Sequence, residues 1–253
     1  MGQITDTERR RTFFLAYLNG ALWALGNGLG STALIVYLVR QLGAAGLGIG
    51  AILAAPHLVG VLRLSAPAMI GRIARRRGFC MTCYGASAVL LAAISQMAEP
   101  GRLASPAVAL PMVIVLWCIY HLLEYMGTVV LWSWLGDIAP RDVRGKFIGV
   151  RESWMLVARV VGMLIAGGFS WAWNSFTGPK DAWVGYAIPA CVAAAAMMAA
   201  IVPLARMPDP REGVTKQHNM VGELFAPLGD GRFWWLLGFG CWFSVAHALT
   251  QSD

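Results

Sequence analysis

Seven apolar runs constrain this chain most strongly, because each is long enough to cross a membrane as a helix. They cover about 13–39, 47–70, 80–98, 107–135, 148–173, 183–205 and 233–250. An α-helix rises about 1.5 Å per residue, so about 20 residues span roughly 30 Å of hydrocarbon. The chain is 58% hydrophobic and 13% charged, whereas soluble domains average about 45–50% and about 25%. We therefore predict an all-α, multi-span membrane protein.

Basic residues are unevenly distributed between the loops. With the N-terminus inside, fifteen of the twenty Lys and Arg face the cytoplasm, three lie outside, and Arg63 and Arg159 lie within spans. This asymmetry follows the positive-inside rule and predicts a multi-pass protein of the plasma (inner) membrane with a cytoplasmic N-terminus. The net charge of +7 is explained by contact with the lipid bilayer at its cytoplasmic leaflet, so no nucleic-acid partner is expected.

The chain divides into a long apolar region, a hydrophilic segment and one last apolar run. We assign 1–205 to an N-terminal six-helix transmembrane bundle, 206–232 to a cytoplasmic linker and 233–253 to the first helix of a truncated second bundle. A fragment of a longer protein is the first interpretation, and a genuine half-size protein is the alternative. Small residues four apart, such as Gly20, Ala24 and Gly28, indicate closely packed helices.

The loop between spans four and five carries a recognisable pattern. "DIAPRDVRGKFIG", Asp137 to Gly149, resembles the D-x-x-P-x-x-x-R-G element of the major facilitator superfamily, with Asp137, Pro140, Arg144 and Gly145 in place. "GRIARRRG", between spans two and three, is similar to the G-x-L-A-D-R-x-G loop of the same superfamily. The second loop departs from that pattern, because Arg75 stands where the family usually has Asp.

The resemblance implies a fold and a function. Members have two six-helix halves built from inverted three-helix repeats around a cavity at the membrane midplane. Helices one, two, four and five line or border that cavity, and helices three and six lie outside it. The implied function is a secondary active transporter that moves a small organic solute by alternating access, as a symporter or an antiporter. Protons are the candidate coupling ion, and uncoupled facilitation stays open.

Polar residues inside the predicted spans give the candidate pathway. Ionisable residues at bilayer depth are costly and usually face a bundle interior or an aqueous cavity. In span four, positions i, i+4, i+7 and i+11 lie within about 40° on a helical wheel. These positions, with one flanking aromatic residue, are Trp117, Tyr120, His121, Glu124 and Thr128. We expect this face to contact the solute or the proton, although aromatic packing against a neighbouring helix is the alternative for Trp117 and Tyr120.

Glu124 and Arg159 both lie near mid-membrane in neighbouring spans. A buried ion pair that holds the two helices together is one interpretation. The other is a proton-accepting carboxylate whose charge state responds to Arg159, substrate and helix movement, with His121 as a relay because imidazole titrates near neutral pH.

Three further polar residues complete the predicted pathway. Asn19 and Asn27 lie in span one, where they either reach the cavity or bond to a neighbouring helix. His57, which follows Pro56, either packs in the core as a neutral imidazole, which is slightly favoured, or lines the pathway.

The charged loops predict a cytoplasmic gate. Because the arginine loop lacks its usual Asp, we expect Asp137 to supply the acid and to pair with one of the arginines, latching this side in one conformation. The gate residues are Gly71, Arg72, Arg75, Arg76, Gly78, Asp137, Arg144 and Gly145.

Other classes of protein fit the sequence less well. No complete hydrolytic motif is present, so we expect no enzyme, no cofactor and no metal site. A seven-helix receptor conflicts with the cytoplasmic N-terminus. A non-transporting membrane sensor or structural subunit with a carrier-like half fold remains the alternative function.

Overall fold

The computed structural model describes residues 6–60, 62, 75–97, 99, 101–102, 106–140, 142–177, 181–208 and 229–250. Within these ranges the chain is helical and contains no strand. In chain order the described helices are α1 (Asp6–Leu29), α2 (Thr32–Gln41), α3 (Leu47–Gly60), α4 (Arg76–Met97), α5 (Pro106–Ile138), α6 (Arg144–Phe176), α7 (Val184–Ala205) and α8 (Gly231–Thr250).

Five helical segments of the described chain are long and apolar enough to cross a membrane. They are α1 together with α2, and then α4, α5, α6 and α7, and they correspond to predicted spans one, three, four, five and six. Span two is represented by α3, and its second half, with Arg63, lies outside the described residues. Span seven is the 20-residue α8, which is not among the five. The helices are those of a membrane-embedded protein.

The first predicted span is interrupted. Helix α1 ends at Leu29 and α2 begins at Thr32, because Gly30 and Ser31 form helix less readily than their apolar neighbours. Ser31 has an extended backbone, with φ −59° and ψ 154°. A Cβ on Gly30 would lie 2.9 Å from the side chain of Leu91, so glycine also permits a close approach to α4. The break brings Ser31 and Thr32 to the cavity described below.

The loop between α5 and α6 is shorter than the charge pattern predicts. Helix α5 continues to Ile138 and α6 begins at Arg144, so Lys146 and Arg151 lie inside a helix. Long basic side chains can extend from a helix end to a polar surface, so the end of an apolar run does not mark the end of the helix.

Small residues let α1 and α6 approach closely. A Cβ on Gly28 would clash with the backbone oxygen of Arg159, and a Cβ on Gly162 would lie 2.5 Å from the backbone oxygen of Leu25. Glycines at these positions therefore permit backbone contact between two helices that both border the cavity.

Helices α4 and α7 are more buried within this chain than α5 and α6, although less than the segment of α1 and α2, of which 56% is buried. In their most apolar stretches 44% of α4 and 50% of α7 is buried, against 28% of α5 and 17% of α6. Helix α7 packs on α1, α4 and α6, and its many alanines allow it to fit between them. Spans three and six were expected outside the cavity, and among the described residues they contribute only Tyr84 to the lining of the cavity described below; their burial shows that other helices of this chain cover much of their surface. Helix α6 exposes large apolar residues instead, such as Leu156, Leu164 and Trp171.

Candidate functional site

A cavity of about 740 Å³ is bordered mainly by α1, α3, α5 and α6. Sites for small molecules usually have volumes of about 300–1,000 Å³. On α6 the lining runs from Arg151 to Met163, which covers roughly 18 Å at about 1.5 Å per residue. Tyr84 is the contribution of α4, and none of the lining residues comes from α7. The main helices correspond to predicted spans one, two, four and five.

Most of the predicted pathway residues lie together in this cavity. The ones that line it are Asn19, Asn27, His57, His121, Glu124, Thr128 and Arg159. Trp117 and Tyr120 are not part of the lining. Polar lining residues that the sequence did not assign to the pathway are Trp23, Ser31, Thr32, Tyr84, Tyr125, Trp132, Arg151 and Glu152.

Glu124 is held by neutral N–H donors from α1. Its Oε1 accepts hydrogen bonds from Asn27 Nδ2 at 3.0 Å and from Trp23 Nε1 at 3.3 Å. Asn27 is itself fixed, because its Oδ1 accepts a hydrogen bond from the Tyr120 hydroxyl at 3.1 Å. The Glu124 side chain is only 12% exposed. The network holds the carboxyl group of Glu124 in a fixed position between α1 and α5. Its second oxygen, Oε2, accepts no hydrogen bond from Asn27 or Trp23.

His121 faces that second oxygen. Its Nδ1 lies 3.3 Å from Glu124 Oε2, but the two groups are not aligned for a hydrogen bond. Neither ring nitrogen has a hydrogen-bond partner among the described residues. The rings of Trp117, Tyr120 and Tyr125 surround the imidazole, with centroids at 4.4, 4.9 and 5.5 Å. Buried polar groups are normally bonded, so an imidazole with both nitrogens unbonded next to a carboxyl group is suited to exchanging a proton with it.

Trp117 and Tyr120 pack next to His121 but do not line the cavity. Both are 1% exposed, and their rings stack at a centroid distance of 4.9 Å. Trp117 Nε1 donates a hydrogen bond to the backbone oxygen of Ile52 in α3 at 3.2 Å. These two side chains therefore pack between helices and hold His121 and Asn27 in place.

The remaining predicted polar residues have separate roles. Asn19 Nδ2 donates a hydrogen bond to the backbone oxygen of Ala200 at 2.9 Å, which joins α1 to α7. The hydroxyl groups of Thr128 and Tyr84 are 3.2 Å apart, which joins α5 to α4. His57 is exposed on the cavity, so the interpretation of His57 as a core imidazole is wrong.

The ion pair between Glu124 and Arg159, one of the two interpretations of the sequence, is not among the ion pairs of the described residues. The carboxyl group of Glu124 turns towards α1, where Trp23 and Asn27 supply its donors. Arg159 is exposed on α6 and lines the same cavity. The two residues therefore share a site without neutralising each other directly.

Arg151 is a site residue that the sequence placed in a cytoplasmic loop. It is 4% exposed, and its guanidinium carbon lies 5.1 Å from the centroid of the Trp132 ring, a cation–π contact. Its Nη1 is 3.4 Å from Glu152 Oε1. Predicted span five already contains Arg151, Met155 and Arg159, and positions four apart are neighbours on a helix, so their spacing was the signal that could have assigned Arg151 to the site.

The second cluster lies at the charged end of the bundle, where α4 begins, α5 ends and α6 begins. Asp137 Oδ2 accepts a hydrogen bond from Arg76 Nη1 at 2.8 Å, and these side chains are 31% and 10% exposed. The pairing of Asp137 with an arginine of the preceding loop is confirmed, and the partner is Arg76. Arg75 is exposed and makes no ion pair among the described residues. Gly71 and Arg72 lie outside the described residues.

Arg144 joins the end of α5 to the start of α6. Its guanidinium donates hydrogen bonds to the backbone oxygen of Ala139, at 3.2 and 3.3 Å, and to that of Gly136. The last carbonyls of a helix lack partners inside the helix, so Arg144 caps α5. By contrast, a Cβ on Gly145 would meet nothing within 4 Å, and one on Gly78 would make an ordinary contact at 3.9 Å. Nothing in the structure explains these two glycines.

Comparison with protein-family models, curated proteins and solved structures finds no match for this chain. In the described part of the chain no group of three or more His, Cys, Asp or Glu is placed to hold a metal ion.

Proposed function

We propose that this chain works as a secondary active transporter of the major facilitator type, in the plasma (inner) membrane with a cytoplasmic N-terminus. It moves a small organic solute by alternating access and couples that movement to protons. The observation that carries the proposal is the pair of Glu124 and His121. Both are nearly buried, both line a cavity of metabolite size, and neither forms an ion pair with an arginine of the described chain.

The proton chemistry follows from which oxygen of Glu124 is available. Oε1 already accepts two N–H bonds, from Asn27 and Trp23. Oε2 is therefore the oxygen that accepts the incoming proton. The acid can pass it to Nδ1 of neutral His121, 3.3 Å away, after a small realignment. With one shared proton the pair is neutral, and loss of that proton leaves one negative charge on the pair, in the same cavity as the positive charge of Arg159.

Proton binding is coupled to helix movement through the charge that it changes in the cavity. An uncompensated charge at bilayer depth costs several kcal/mol on most scales, and Arg159 contributes a positive charge to the same cavity, so the protonation state of the pair changes the free-energy cost of closing and drying the cavity. Glu124 contacts α1 through hydrogen bonds that span two helices. Protonation therefore changes the relative free energies of two arrangements of these helices, as alternating access requires.

Uptake by proteoliposomes tests the proposal. The full chain is reconstituted with a pH-sensitive dye inside, and a panel of organic acids, sugars and amines is added under a pH gradient. We expect at least one solute to move protons with it, and Glu124→Gln to abolish this movement while inserting normally. Glu99→Gln is the matched control, because Glu99 pairs with Arg102 and does not line the cavity. Absence of solute-dependent flux would contradict the proposal and favour a sensor or structural subunit.

A further inference from the structure

Two arginines of α6 line the cavity at different depths. Arg151 and Arg159 are eight residues apart, which separates them by about 12 Å along the helix axis and by about 80° around it. Both belong to the lining. A cavity that presents two guanidinium groups from one helix is unusual in a membrane protein, where basic residues at depth are rare and mark solute or ion pathways.

The positive charge of Arg159 is available to a ligand in the cavity. It makes no ion pair among the described residues, because the carboxyl group nearest to it in the predicted pathway, Glu124, is bound to Asn27 and Trp23 instead. Arginine stays protonated in proteins, so the residue cannot become neutral by losing a proton. Its planar fork of N–H groups matches the two oxygens of a carboxylate.

The positive charge of Arg151 is compensated, but only by weak contacts. Its charge faces the ring of Trp132, and its one carboxylate contact, with Glu152 Oε1, is long at 3.4 Å. The Glu152 side chain is 51% exposed, and Arg151 Nε has no hydrogen-bond partner among the described residues. Glu152 thus balances Arg151, and among the described lining residues Arg159 is the cation left uncompensated once Glu124 is protonated.

We propose that the solute is an organic monoanion, a monocarboxylate whose carboxylate binds Arg159 and whose apolar body lies against the aromatic wall of the cavity. The wall includes Trp23 and Tyr125. With Glu124 protonated and Glu152 beside Arg151, the described part of the lining carries one uncompensated positive charge, which one carboxylate neutralises. This inference rests on the proposed function and deepens it: one proton on Glu124 and one anion on Arg159 move together without net charge.

Equilibrium binding to the purified full chain in lipid nanodiscs tests the inference without any gradient. The probes are benzoate and phenylacetate, each compared with its neutral amide, benzamide or phenylacetamide. Trp23 and Trp132 line the cavity, so quenching of tryptophan fluorescence is the readout, with calorimetry as the second measurement. We expect the carboxylates to bind at least tenfold more tightly than the amides.

Variants of Arg159 identify the group that recognises the anion. Arg159→Gln should weaken carboxylate binding at least tenfold and leave amide binding unchanged, and Arg159→Lys should retain part of the preference. Arg102→Gln is the matched control, because Arg102 is exposed, pairs with Glu99 and does not line the cavity. Equal affinity for acids and amides, no binding of either class, or unchanged carboxylate affinity in Arg159→Gln would each overturn the inference.

The two proposals fail in different ways. Carboxylate binding that depends on Arg159, without any proton-linked flux in proteoliposomes, would refute the transport function and keep the anion site. Proton-linked flux of a neutral solute, without a preference for carboxylates, would refute the anion site and keep the transport function.

Discussion

The ion pair between Arg76 and Asp137 allows a quantitative test of how α4 and α5 are held together at the charged end. We expect Asp137→Arg to destabilise the protein and Arg76→Asp, added to it, to restore part of the loss by forming the reversed pair. Arg75→Asp is the matched control. Arg75 is the neighbouring arginine, but it is exposed and makes no ion pair among the described residues.

The magnitude follows from distance and burial. The two atoms are 2.8 Å apart, and the side chains of Arg76 and Asp137 are 10% and 31% exposed. Hydrogen bonds to charged groups contribute about 1.5–3 kcal/mol net, and exposed ion pairs contribute about 0–1 kcal/mol. Because Asp137 is almost a third exposed, we expect a coupling free energy between these values, about 1–2 kcal/mol.

The assay is a double-mutant cycle with Arg76→Gln and Asp137→Asn, measured by equilibrium unfolding in mixed micelles. The same cycle with Arg75→Gln gives the background. If the helices also separate at this end during transport, loss of about 1.4 kcal/mol shifts the ratio of closed to open forms about tenfold, which labelling of a cysteine placed in the cavity would detect. A coupling for Arg76 no larger than that for Arg75 would refute the assignment.

Three further changes have defined outcomes. Gly28→Leu should lower the free energy of unfolding by about 1–3 kcal/mol, because its side chain has no room beside α6, whereas Gly149→Ala, whose Cβ meets nothing within 4 Å, should cost nothing in the same thermal unfolding assay. Arg144→Met should cost about 1–2 kcal/mol by removing the cap of α5, seen as faster amide exchange at residues 136–139; unchanged exchange would contradict the cap. His121→Phe keeps the aromatic packing, so the protein should fold but should move protons together with the solute more slowly. A wild-type rate of proton movement in the proteoliposome assay would exclude His121 as a relay.

The positions of most helices could be predicted from the sequence, because a helix that crosses a membrane needs an apolar run of about 20 residues. The ends of α4 to α8 lie within four residues of the predicted ends. The break at Gly30 and Ser31 was missed, since two weak helix formers inside an apolar run do not change its hydropathy. The start of α6 was placed four residues too late, because Arg144 and Lys146 look like loop residues by charge although they belong to the helix.

Part of the pathway could be predicted from the sequence, because polar residues stand out within apolar spans. Polar residues at helical spacing identified His121, Glu124 and Thr128 on one face of α5, and all three line the cavity. Periodicity gives the face of a helix but not the partner opposite it. Trp23, whose N–H bonds to Glu124, resembles any apolar residue in span one, so the actual partners of Glu124 could be found only in three dimensions.

Burial between helices was the least predictable property. Charge-poor spans three and six were expected outside the cavity, and apart from Tyr84 their described residues do not line it, but the sequence did not show that α4 and α7 are more buried in this chain than α5 and α6. A helix rich in alanine, such as α7, is equally apolar whether lipid or another helix covers it. Its position follows from side-chain size and close packing, which a hydropathy pattern does not record.

The proton on Glu124 can be observed by infrared difference spectroscopy of the full chain in lipid as the pH is changed. We expect a carboxylic-acid C=O band that shifts or disappears when the pH is raised, is missing in Glu124→Gln and is retained in Glu99→Gln. The same pH-dependent band in Glu124→Gln would show that another group carries the proton and would contradict the role assigned to Glu124.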